Sequence, residues 1–170
     1  MTRYALSAVV LAAAAMEAGI NEIYVTAVDE ARDTTSSATV DCAQALSERW
    51  KDASKKPILQ KHQVALEVCG KERFDEKSEP YQAARHLTQL RNALMHYKSE
   101  WDSDDGDHRK LEQNLRNRFP EAKLWAPMSS KRAWLPYGCL GAGCANWACS
   151  TARTMHEAFC ARLGITSVLG

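Results

Sequence analysis

The sequence predicts an all-α protein: a largely up-and-down antiparallel bundle of roughly five or six helices. Three observations carry this expectation. No segment alternates apolar and polar residues as a half-buried strand would. The first 31 residues hold no proline and one glycine and are rich in Ala, Leu and Glu, and later segments repeat their apolar residues at helical spacing. Between these segments lie short polar stretches marked by Gly, Pro, Ser or Asp, and short connections make neighbouring helices antiparallel.

The elements follow in order. The opening helix covers the first 31 residues, with Gly19 as its weak point, and ends before "DTTSSAT". Asp41 as N-cap, with Gln44 three residues on, predicts a capping box for a second helix reaching about Ser54. Pro57 suits the first turn of a third helix, "PILQKHQVALEVCG", closed by Gly70. After the polar linker "KERFDEKS", Pro80 opens a fourth helix to about Trp101. The acidic stretch "DSDDGD" is a turn rather than a calcium loop, because counting back from Gly106 puts the first ligand position on Trp101. A short helix, "HRKLEQNLRNRF", comes next. An irregular loop at about 118–138 holds three of the five prolines together with Trp125 and Trp134. In the last helix, "GCANWACSTARTMHEAFCARLG", the residues Trp147, Thr151, Met155, Phe159 and Leu163 form an i+4 core stripe before the C-cap Gly164.

The bulk numbers set the class. A chain of 170 residues, 45% hydrophobic and 25% charged, has the balance of one globular domain spanning 1–170. Its formal charge of +1 gives no global basic field for a nucleic acid. Any such binding rests on local patches, Lys51, Lys55, Lys56 and Lys61 or Arg109, Lys110, Arg116 and Arg118, each of which also reads as the solvated face of a helix. The cysteines Cys42, Cys69, Cys139, Cys144, Cys149 and Cys160 include no CxxC pair, so zinc is not expected, and all are read as reduced and mostly buried. The apolar start "MTRYALSAVVLAAAAMEAGI" resembles a signal peptide in composition. Glu17 and the unbroken pattern into "NEIYVTAVDEA" argue for a helix of the fold instead, and the run is too short for a bilayer. The expected location is the cytoplasm, with no membrane partner.

The stretch "QLRNALMHYK", Gln89 to Lys98, carries the chemistry. Leu87, Leu90, Leu94 and Tyr97 supply the apolar stripe, and Arg91, Asn92 and His96 flank it. Asn92 and His96 are i and i+4, while Arg91 and His96 lie about 140° apart, within reach of a long side chain. These residue types suit cleavage of RNA without a metal. An imidazole exchanges protons near neutral pH, an arginine fork stabilises phosphoryl oxygens, and an asparagine orients the imidazole or adds a donor.

The string "RNALMH", with "LR" before it and an aromatic after, resembles the signature of the HEPN superfamily, the all-α domains named for higher eukaryotes and prokaryotes nucleotide binding. Its active members carry Arg, four to six residues, then His, often with Asn after the Arg. The resemblance implies a metal-independent endoribonuclease without a cofactor, working as a homodimer with two Arg and His pairs facing each other across a composite cleft. It implies His96 as general acid or base, Arg91 on the scissile phosphate and Asn92 as orienting group, leaving a 2′,3′-cyclic phosphate and a 5′-hydroxyl. Glu17 and Asn21, i and i+4 on the opening helix, are candidates for the polar support that such helices give the active centre. Family members serve in antiviral defence, abortive infection or toxin–antitoxin systems, so an antitoxin or other regulatory protein is an expected partner besides RNA. A subset carries Tyr two residues after the His, as a site of silencing modification. Here Lys98 stands there and Tyr97 precedes it, which puts that form of control in doubt.

No other motif competes. His62, His86, His108 and His156 are scattered with no HExxH, the serines lack a nucleophile elbow, and "GCLGAG" is neither a P-loop nor a dinucleotide fingerprint. Two functional classes fit the sequence: a ribonuclease using Arg91, Asn92 and His96, and a non-catalytic helical module that dimerises or binds a partner or nucleotide.

Overall fold

In the computed structural model the described residues are 2–32, 42–96, 106–122 and 134–166. They form α1 (Thr2–Arg32), α2 (Ala43–Ala53), α3 (Ile58–Val68), α4 (Tyr81–Met95), α5 (Gly106–Leu115), a π-helical turn (Trp134–Gly138) and α6 (Ala142–Leu163). The fold is all-α, a predominantly antiparallel, up-and-down helical arrangement, with no strand among the described residues. The chain groups into two compact units, residues 1–13 with 83–151 and residues 14–82 with 152–170.

α1 runs unbroken through Gly19. Its inward face repeats at three and four residues, with Val9, Ala13, Met16, Ile20, Tyr24 and Ala27 at 0–1% exposure. By length and composition Arg3–Glu30 is long and apolar enough to cross a membrane, and 28% of its apolar stretch is buried inside the protein.

In the unit of 14–82 and 152–170, α2 and α3 form a helical hairpin of two 11-residue arms. Cys42 stands at the N-cap of α2, where its carbonyl accepts from the Leu46 amide at 3.0 Å. The expected capping box falls on Asp41, which lies outside the described residues; the Gln44 side-chain amide donates to Glu48 at 2.9 Å. Pro57 is the N-cap of α3 rather than its first residue. Gly70, at φ 62°, lets the chain leave α3 as the Lys71 amide reaches back to the Leu66 carbonyl at 2.8 Å.

Equal arms bring the start of α2 beside the end of α3, and there Cys42 and Cys69 form a disulfide with their Cα atoms 5.2 Å apart. This corrects the expectation of six reduced cysteines. Cys139, Cys144 and Cys160 are indeed buried thiols, but Cys149 is exposed and Cys42 and Cys69 are half-buried. Lys61 is likewise corrected: it is buried at 3% exposure and does not join the exposed Lys51, Lys55 and Lys56 in a surface patch.

The core of this unit gathers Met16, Ile20, Tyr24, Leu46, His62, Leu66, Met155 and Phe159. Tyr24 stacks on Trp50 at 5.4 Å, and its hydroxyl donates to the Lys61 carbonyl at 3.2 Å; burial pushes its pKa up to about 12. The segment after α3 is pinned by Gln63, which both donates to and accepts from the Phe74 backbone at 2.9 Å. Arg162 covers the Phe74 ring at 4.4 Å.

In the other unit, α5 ends at Leu115, four residues before the expected Phe119; the chain continues in turns, with the Arg118 amide on the Leu115 carbonyl at 3.0 Å, and Pro120 disfavours helical backbone at Phe119. Phe119 packs against Trp134 at 6.2 Å and Trp147 at 5.3 Å. Arg116 pairs with Glu112 and Glu121, and Glu121 also accepts from the Trp134 indole at 3.0 Å. Part of the expected 118–138 loop is therefore a fastened π turn, with Leu135 at non-helical angles within it, while 123–133 lie outside the described residues. In α6, Met155 and Phe159 are fully buried, Thr151 and Leu163 nearly so and Trp147 half-buried, which follows the predicted stripe. Gly164, at φ 79°, ends the helix.

Candidate functional site

α4 is amphipathic for the reason its sequence gives. Ala84, Leu87 and Leu90 are at 0% exposure, Leu94 is half-buried, and the polar residues of the last turn are left outside. Arg91 is half-buried, and Asn92 and His96 are exposed. The Arg91 guanidinium donates to the Asn92 side-chain oxygen at 2.9 Å, so the two polar residues meet as neighbours. The His96 amide donates to the Asn92 carbonyl at 3.0 Å, closing one last turn beyond the helix end at Met95. That bond sets His96 one turn from Asn92 on the same side. A side-chain bond between Asn92 and His96, which their i and i+4 spacing allows, is not among those of the described residues; the Asn92 oxygen accepts from Arg91 instead. Tyr97 and Lys98 lie outside the described residues.

Chemically, this is an exposed imidazole one turn on from an asparagine whose side-chain oxygen accepts from an arginine. A half-buried, hydrogen-bonded guanidinium has lost part of its rotamer freedom before any anion arrives.

Glu17 and Asn21 are brought together as i and i+4 neighbours, but about a lysine. Lys61 Nζ donates to Asn21 Oδ1 at 2.8 Å and lies 3.3 Å from Glu17 Oε1. A buried ammonium requires such partners, since an uncompensated charge out of water costs several kcal/mol, about what breaking a buried pair costs. These residues belong to the unit of 14–82 and 152–170, whereas Arg91, Asn92 and His96 belong to the unit of 1–13 and 83–151. Sequence reasoning missed Lys61 by counting it as surface. The signal was its place among the buried Ile58, Leu59, His62 and Ala65 of α3.

Two buried imidazoles lie in the same unit as Lys61. His62 Nδ1 bonds the Ile58 carbonyl at 2.8 Å, and its ring meets Phe159 edge-on at 4.7 Å. Burial drives its pKa down to about 4, the Ile58 bond opposing and His156 and Lys61 adding to the drop. His156 Nε2 is 3.5 Å from Cys160 Sγ; burial lowers the imidazole's pKa and raises the thiol's. Both shifts favour the neutral forms, the reverse of an activated Cys–His pair. Among the described residues no three His, Cys, Asp or Glu side chains are placed to hold a metal ion.

Comparison with protein-family models, curated proteins and solved structures gave no match. The all-helical bundle is consistent with the HEPN fold class, and the finer resemblance rests on the Arg91–His96 string.

Proposed function

We propose that this chain is a metal-independent endoribonuclease of the HEPN type, acting as a single HEPN-like domain. The observation that carries the reading is the Arg91–Asn92 bond at 2.9 Å with exposed His96 one turn on. His96 takes the proton of a ribose 2′-hydroxyl or returns one to the 5′-oxygen that leaves. Arg91 holds the scissile phosphate and stabilises the charge that builds on its oxygens, and Asn92 fixes the guanidinium. The products are a 2′,3′-cyclic phosphate and a 5′-hydroxyl. No metal or cofactor enters this scheme.

The working form in this reading is a homodimer whose two motifs face each other across one cleft. Met95, a large apolar side chain 59% exposed beside His96, supports a protein surface next to the motif. The role that follows is cytoplasmic, in antiviral defence, abortive infection or a toxin–antitoxin pair, with RNA as substrate and a regulatory protein as partner. The second reading, a non-catalytic dimerisation or nucleotide-binding module, draws support from the net charge of +1.

The test is cleavage of a mixed RNA pool in EDTA by wild type, His96→Ala and Arg91→Ala. Wild type is expected to leave cyclic-phosphate ends, and each variant to lose at least about a hundredfold in rate. Folded wild type that leaves the pool intact, or His96→Ala that cuts equally well, would move the conclusion to the non-catalytic module.

A further inference from the structure

We propose that Cys42–Cys69 is a thiol–disulfide exchange site, opened by a small dithiol and closed again by a low-molecular-weight disulfide. This stands apart from the ribonuclease reading. Three observations support it. Both cysteines are half-buried, so a small thiol can reach them, whereas Cys139, Cys144 and Cys160 are at 0–2% exposure and Cys149 is exposed with no partner cysteine. The bond joins the open end of a helical hairpin with the two Cα atoms 5.2 Å apart, within the ordinary range for a disulfide, at a place where the two arms are held together by other contacts as well. The two ends also differ electrically. Cys42 is the N-cap of α2, at the positive end of that helix's dipole, and makes no side-chain cap bond; Cys69 is the C-cap of α3, at the negative end of its dipole and next but one to Glu67, with the Leu66 and Glu67 carbonyls taken up by the Lys71 and Gly70 amides.

That asymmetry gives the exchange a direction. The thiolate of the dithiol attacks Cys69 Sγ, a sulfur–sulfur bond forms between them, and the Cys42–Cys69 bond breaks with its electron pair leaving on Cys42 Sγ. The α2 amides stabilise this thiolate, which then takes a proton from water. The second thiol of the dithiol attacks the mixed disulfide and releases Cys69 as a thiol. The protein gains two electrons and two protons, and the dithiol becomes a cyclic disulfide. Closure by an oxidised glutathione-class disulfide reverses the flow.

The opened hairpin keeps other fastenings. Trp50 still stacks on Tyr24, Lys61 still binds Glu17 and Asn21, and Gln63 still holds Phe74. Opening therefore loosens the α2 arm without unfolding the unit. In a reducing compartment such a bond belongs to the transient, redox-sensing kind.

The full chain, purified without reductant, is treated at pH 7 in the absence of denaturant with dithiothreitol and then with N-ethylmaleimide, and the labels are located by mass. The expected result is new label at Cys42 and Cys69, unchanged helical circular dichroism, α2 amides exchanging roughly a hundredfold faster, and no label at either cysteine when dithiothreitol is removed and oxidised glutathione is added before the maleimide. In single variants, the Cys42 thiol of Cys69→Ser should alkylate several-fold faster than the Cys69 thiol of Cys42→Ser. A bond that resists dithiothreitol until denaturant is added overturns the proposal, as does loss of helicity on reduction. Equal or reversed alkylation rates overturn the assigned direction.

Discussion

His62 has its Nδ1 on the Ile58 carbonyl at 2.8 Å, while its Nε2 is buried and has no partner among the described residues. With Nδ1 donating, Nε2 is a lone-pair acceptor, and protonating it would put a cation beside Lys61 and His156 in a dry core. The folded-state pKa of about 4 lies below the usual 6.5. Between those values the unfolded chain binds a proton that the native chain refuses, so stability rises with pH there and is lost as pH falls from 6.5 towards 4. The loss expected from this residue is about 3 kcal/mol. Urea midpoints at pH 7, 5.5 and 4.5 read it, with His62→Gln as the comparison, because the glutamine amide keeps a donor for Ile58 and does not titrate. The variant should lose distinctly less stability on acidification, retaining only the smaller slope that buried His156 adds in the same sense. Parallel curves for the two proteins would mean that His62 protonates freely in the native state.

At the scale of the element, α1 and α6 are fitted to each other at Gly19. A Cβ built there would come within 2.9 Å of His156 Nδ1. On helix propensity alone Gly19→Ala should stabilise by up to about 1 kcal/mol. The imidazole cannot simply turn aside, since it is buried at 4% exposure and its other nitrogen lies 3.5 Å from Cys160 Sγ. Net destabilisation of about 1–2 kcal/mol is therefore expected, with the sign reversed in a His156→Ala background, where the space is open. Thermal unfolding of the four proteins measures both, and a single Gly19→Ala that stabilises would contradict the contact. The same residue shows what the sequence could and could not disclose. Periodicity found every long helix, because it records which face is buried and depends on near neighbours alone: the α6 stripe from Thr151 to Leu163 and the Gly70 and Gly164 stops follow from local rules. Gly19 looked like a flaw because the side chain it makes room for is 137 positions later, at His156. Cys42 and Cys69 escaped for a related reason: at 27 residues apart, only the equal arms of a hairpin bring them side by side. Of the candidate site, local spacing put Asn92 and His96 on one side of α4, but it did not foresee that Asn92 would spend its oxygen on Arg91, nor that Glu17 and Asn21 would be held by Lys61.

For the whole molecule, the proposed dimer makes a claim about stoichiometry that single variants leave open. Where one cleft is built from two motifs, a protomer lacking His96 disables the cleft it shares, whereas protomers that each cut alone lose only their own share. Wild type and His96→Ala can be mixed in varying ratio at fixed total protein, after incubation long enough for subunits to exchange. With a composite cleft, activity follows the square of the wild-type fraction, so an equal mixture retains about a quarter. Independent sites follow the fraction itself and retain about half. His96 is suited to the experiment because it is exposed and its side chain makes no hydrogen bond among the described residues, so its removal leaves the packing of α4 on Leu87 and Leu90 in place. Subunit exchange is checked separately, by the appearance of mixed dimers in native mass spectrometry with one protein isotope-labelled. A linear dependence with exchange complete would separate dimerisation from catalysis and confine the active centre to one copy of Arg91, Asn92 and His96.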